Sequence, residues 1–78
     1  MTLFFNHQGK SLTIQCLDTD TLNQVYSRYC IKANMNRDDP KFYYNSMELK
    51  GDDKTLKDHN IVNRGNFNVV IAKYVVGA

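Results

Sequence analysis

Cys16, Cys30, His7 and His59 are the side chains of this sequence best suited to nucleophilic or metal chemistry. Their spacing does not assemble either. There is no C-x-x-C pair and no H-x-x-x-H pair, so zinc has no ligand framework to bind. No Ser or Cys stands beside a histidine with a third group to orient it, so an activated nucleophile is not formed. This predicts no catalytic residues, no metal and no cofactor. Cys16 falls on the apolar phase of an alternating stretch and reads as a small core residue. Cys30 reads as a helix residue near the surface. Two cysteines allow one disulfide at most, fewer than a small secreted scaffold carries. Two reduced thiols in the cytoplasm or nucleus are expected. The aromatics Phe4, Tyr43 and Tyr44 could stack on bases, but the Lys and Arg residues are scattered and form no stripe beside them, so nucleic acid is not an expected partner.

What remains is a small domain that works through its surface. The chain has 78 residues, room for one hydrophobic core and no second domain. It is 42% apolar and 23% charged, the balance of a folded domain. Its formal net charge of +2 is too mild to draw it to a nucleic acid or a membrane. Its apolar runs are far too short for a membrane span, and Met1–Asn6 lacks the basic start and apolar stretch of a signal peptide. A monomer is expected.

The elements that must position any functional surface are legible in the periodicity. Leu3 and Phe5 alternate with Thr2, Phe4 and Asn6; Leu12, Ile14 and Cys16 alternate with Ser11, Thr13 and Gln15. Each set implies a strand, and His7-Gln8-Gly9-Lys10 is the polar connection of a hairpin. Thr21 followed by Gln24 fits a capping box, and Leu22, Val25 and Tyr29 form a helical stripe flanked by Tyr26 and Ile31. The helix is predicted over about 22–33, with Asn34 as its left-handed terminator. Lys41-Phe42-Tyr43-Tyr44 reads as a third strand and Met47-Glu48-Leu49 as a short fourth. Thr55-Leu56-Lys57-Asp58 reads as a capped helical turn, and residues 66–71 as the last strand. This order is α+β, one sheet whose apolar face is covered by one helix. The predicted core is Leu3, Phe5, Leu12, Ile14, Cys16, Leu22, Val25, Tyr29, Phe42, Leu49, Leu56, Ile61, Phe67 and Val69.

Phe42-Tyr43-Tyr44-Asn45-Ser46-Met47-Glu48-Leu49, followed by Lys54-Thr55-Leu56-Lys57-Asp58-His59-Asn60-Ile61, resembles the ubiquitin-like family. The Thr-Leu-x-Asp-x-Asn-Ile motif is its most specific part. Phe4, Gly9-Lys10, Leu12-Thr13, Asp20-Thr21-Leu22, Val25 and Val70 also fall in register, so the resemblance covers the whole chain. It implies a β-grasp fold, a mixed sheet of four to five strands with one helix packed on it. It implies a single domain over 1–78, with 74–78 a flexible C-terminal tail.

The resemblance also implies a docking patch on the sheet. The corresponding positions hold Phe4, His7, Tyr43, Met47, Asn68 and Val70. Polar His7 and Asn68 stand where the family has Leu and His, so readers of the family's usual patch should bind poorly. Lys10 and Lys32 coincide with family lysines, and Lys10 is the candidate chain-linkage site. Modifiers of the family end in Gly-Gly and are joined to target amines through that end. Here Gly77-Ala78 stands in its place, preceded by Val75-Val76 where the family has Leu-Arg. The implied function is a protein modifier attached through its C-terminal tail and read by partner proteins. The alternative is a non-covalent interaction domain of a larger protein. One implied route to such an end is release from a precursor, as in ciliate polyproteins that alternate ubiquitin-like and self-processing domains. The expected partners are conjugation enzymes, target proteins or receptors of ubiquitin-like domains.

Overall fold

A computed structural model describes residues 1–71 of the chain. Its elements are β1 (Thr2–His7), β2 (Lys10–Gln15), α1 (Leu22–Ala33), β3 (Pro40–Tyr44), β4 (Met47–Glu48) and β5 (Asn66–Ile71). The strands form one mixed sheet in the order β2-β1-β5-β3-β4. β1 and β5 are parallel neighbours, and the other pairs are antiparallel. The architecture is α+β with one helix on a five-stranded sheet, the β-grasp arrangement. The expected tail, 74–78 with Gly77 and Ala78, lies outside the described residues.

Two tight turns set the registers. Gln8 (φ 50°) and Gly9 (φ 78°) link β1 to β2, and Asn45 (φ 53°) and Ser46 (φ 66°) link β3 to β4. Positive φ at both central residues gives the primed turn whose twist matches the flanking strands. The first turn is one residue tighter at each end than the sequence implies. His7 is therefore the last residue of β1, paired with Lys10.

The helix forms as its caps require. Thr21 Oγ1 accepts from the Gln24 amide at 3.2 Å, and Gln24 Oε1 accepts from the Thr21 amide at 2.8 Å. At the other end Asn34 is left-handed, φ 58° and ψ 48°. The buried face is wider than a narrow stripe: Leu22, Val25, Tyr26, Tyr29 and Cys30 all face the sheet. Cys30 is thus a core residue and not a surface one, because it sits one turn after Tyr26 on the same face. Tyr26 is also core. Its ring stacks on Phe42 with centroids 3.8 Å apart, and its hydroxyl donates to the Leu49 carbonyl at 2.7 Å. That bond lets a large aromatic alcohol lie wholly inside. Burial pushes its phenol well above the ordinary tyrosine range. Ile31, on the opposite side of α1, is exposed. The rest of the predicted core is buried, except Leu12 and Leu49, which are half-buried at its margin.

The segment after β4 closes the molecule. Leu22 donates its amide to the Lys54 carbonyl, and Leu56 donates to Asp20, tying the 52–56 loop across the start of α1. Thr55 and Asp58 exchange side-chain-to-backbone bonds at 3.1 Å each. The cap is as expected, but residues 56–60 form turns and not a helix. His59 Nε2 lies 3.0 Å from both oxygens of the Asp52 carboxylate, which helps hold that carboxyl below its usual range. His59 therefore anchors the loop, which is a structural role.

Candidate functional site

A strand shows alternate side chains to opposite faces, so one buried face defines an open one. Leu3 and Phe5 of β1, Phe42 of β3, and Phe67 and Val69 of β5 point at α1. The intervening residues form the open face. One row crosses all five strands: Ser11, Asn6, Asn68, Tyr43 and Glu48, each paired with the next. Beside it runs Thr13, Phe4 and Asn66. Val70 pairs with Lys41 and is the diagonal neighbour of Tyr43.

Four of the six expected patch residues, Phe4, Tyr43, Asn68 and Val70, therefore share this face. Phe4 and Tyr43 are half-buried between their neighbours, and Val70 is 46% exposed. Amides separate the two aromatics. Asn6 Nδ2 donates to Asn66 Oδ1 at 3.4 Å and to the Phe67 carbonyl at 3.3 Å, which orders the strip between β1 and β5. The face is an aromatic and aliphatic cluster (Tyr43, Val70) with Lys41 and Glu48 at its sides. Aromatic anchors ringed by polar groups are a composition found in protein interfaces.

The other two expected members lie elsewhere. His7 has the parity of Leu3 and Phe5 and turns to the helix side. There it lines a cleft with Lys10, Leu12, Tyr29, Lys32 and Met35. Met47 pairs with Tyr44, not Tyr43, so it takes the opposite parity from the open face. It is 72% exposed and lines a depression with Tyr44, Leu49 and His59. The two-residue turn is the reason: Asn45-Ser46 sets Glu48, not Met47, across from Tyr43. Lys41, Glu48, Asn6 and Asn66 are members of the face that the motif comparison did not supply. Period-2 alternation, carried across the turn, would have found them. Among the described residues no group of three or more His, Cys, Asp or Glu could hold a metal ion. No helix among them is long and apolar enough to cross a membrane.

A five-stranded mixed sheet with one helix across it and its other face open defines a β-grasp interaction domain. The chain matches the model of the ubiquitin family over residues 3–74, and it belongs to that family. This is a non-enzymatic family whose domains interact with proteins. No curated protein matches the chain.

Proposed function

We propose that this ubiquitin-like protein is a modifier, joined to target amines through its C-terminal tail and read by partner proteins at the open face of its sheet. The supporting observation is the joint placement of Tyr43 and Val70 on that face within a family whose members interact with proteins. Tyr43 supplies a rigid aromatic anchor, Val70 an apolar floor, and Lys41 and Glu48 a polar rim. Asn68 beside Tyr43 distinguishes this surface from the usual family patch. Two free, buried thiols accord with a reducing compartment, so we place the protein in the cytoplasm or nucleus.

The second reading is a non-covalent interaction domain of a larger protein, and the same face supports it. Mass spectrometry of tryptic peptides from the source cells separates the two. Cleavage after Lys73 leaves Tyr-Val-Val-Gly-Ala branched on a modified lysine. That remnant establishes conjugation and names the targets. Linear peptides running through Ala78 into further sequence, with no branched remnant, reject the modifier and establish the fixed domain. Under either reading, Tyr43→Ala should weaken partner binding by at least about 1 kcal/mol. Unchanged affinity in a folded variant removes Tyr43 from the anchor role.

A further inference from the structure

The turn that follows β4 brings cations and backbone donors together. The last bond between β3 and this segment runs from the Leu49 amide to the Phe42 carbonyl at 2.9 Å. Beyond it, the Lys50 and Gly51 amides donate to no backbone carbonyl among the described residues. Arg37 lies against the same turn. Its guanidinium carbon is 5.1 Å from the centroid of the Tyr26 ring and 5.7 Å from that of Phe42, and its Nη2 donates to Asn23 Oδ1 at 3.1 Å. These contacts hold the planar fork in place, and most of its N–H donors remain for a ligand. Gly51 permits the close approach, because a Cβ there would meet Arg37 Nη2 and Asn23 Oδ1.

A hollow of about 120 Å³ opens here, bordered by Arg37, Phe42, Leu49, Lys50 and Gly51. Lys41 and Glu48 also border it, but by strand register both belong to the open face of the sheet, where their opposite charges offset each other. Arg37 and Lys50 are left as the charges of the hollow. The next carboxylates along the chain are engaged: Asp52 lies 3.0 Å from His59 Nε2 and accepts from the Lys54 amide at 3.0 Å, and Asp53 Oδ1 accepts from Asn23 Nδ2 at 3.3 Å.

We propose that Arg37, Lys50 and the Lys50 and Gly51 amides bind the phosphoryl group of a phosphorylated serine or threonine on a partner protein. A phosphoserine carries nearly two negative charges at neutral pH and three acceptor oxygens, which matches two cations and two backbone donors. A carboxylate would leave one cation uncompensated. The guanidinium can take two phosphate oxygens at once, with the ammonium as a point charge beside them. Pockets that enclose whole small molecules span about 300–1,000 Å³, so this smaller hollow suits an end group presented on a chain. The site is separate from the Tyr43 face, and its test does not depend on conjugation.

The test is titration of the ¹⁵N-labelled protein with the peptide Gly-Gly-Ser-Gly-Gly phosphorylated on serine, its unphosphorylated form, the same peptide with Glu in place of Ser, and inorganic phosphate. The phosphopeptide should shift the Lys50 and Gly51 amides and the Arg37 Nε–H signal, and bind about tenfold more tightly than the Ser or Glu peptide. Its affinity should rise as pH passes about 6, where the phosphate takes its second charge, and fall as salt is raised from 50 to 500 mM. Lys50→Gln alters an exposed side chain and should weaken binding about threefold or more with the amide spectrum intact. Arg37→Lys keeps the charge but not the fork and should weaken it about tenfold. Tyr43→Ala should bind the phosphopeptide unchanged. Equal binding of the Glu peptide, equal binding of inorganic phosphate, unchanged affinity in both the Lys50 and Arg37 variants, shifts confined to Tyr43 and Val70, or no binding at millimolar phosphopeptide would each overturn the proposal.

Discussion

Replacing Tyr26 with Phe isolates one oxygen atom in the centre of the core. The ring is kept, and with it the stack on Phe42 and the edge contacts to Phe5 and Phe67, at 6.3 and 5.9 Å between centroids. The Arg37 guanidinium, 5.1 Å above the ring, also keeps its partner. What is lost is the 2.7 Å bond to the Leu49 carbonyl. A hydrogen bond of this kind contributes about 0.5–1.5 kcal/mol net, and a buried acceptor left unpaired costs about 1–3 kcal/mol. Leu49 is half-buried, so water partly replaces the phenol, and Tyr26→Phe should cost about 1.5 kcal/mol. In a domain of this size that lowers Tm by about 6–12 °C. Urea unfolding should show a lower midpoint at unchanged m. Tyr26→Ala, which also removes the ring, should cost about 3–5 kcal/mol. The phenol carries a pH signature as well. Burial raises its pKa above the ordinary 10.0, so its contribution is complete below pH 10. Above that, the unfolded chain releases the proton while the folded one keeps it. Stability then falls by about 1.4 kcal/mol per pH unit for each such group. Cys16, Cys30 and Tyr29, also raised by burial, add to the decline. Tyr26→Phe should remove one proton from the slope above pH 10. A variant within about 0.5 kcal/mol of wild type, with the alkaline slope intact, would refute this account of Tyr26.

Three further outcomes are expected. Ser46 holds φ 66° without being glycine, so Ser46→Gly should raise stability by about 1 kcal/mol in the same urea assay; a loss would show that the Ser46 side chain matters more than its backbone. Gly51 lies against Arg37 and Asn23, where a Cβ would displace the ends of both side chains and break the 3.1 Å bond between them; Gly51→Ala should destabilise by about 1 kcal/mol, and a neutral result would mean that Arg37 finds an equal partner elsewhere. At low pH the sign reverses. Asp20, Asp52 and Asp58 are all held below 3.8, so their contribution is present above that value and is lost as pH falls through the folded values. Calorimetric Tm should fall below about pH 4, and Asp20→Asn, which gives up the 2.7 Å contact with Arg28, should flatten the acid limb.

What local chemistry encodes was legible in the chain. The helix over Leu22–Ala33 follows from Thr21, Gln24 and Asn34, because caps act through backbone groups only a few residues away. The strands follow from alternation, and the family from the Thr-Leu-x-Asp-x-Asn-Ile motif. Turn lengths and tertiary structure together decided where the surfaces lie. The face of Met47 depends on the length of the Asn45-Ser46 turn, and that of His7 on β1 running one residue further; a single step in a strand exchanges faces. Cys30 and Tyr26 became core because a helix laid across five strands buries more than its apolar stripe, and Tyr26 finds its acceptor 23 residues away in Leu49. Lys32 reaches the Thr13 carbonyl of β2, 19 residues back. Partners distant in sequence meet only when sheet order and helix placement are set, and those arise from the packing of the whole core.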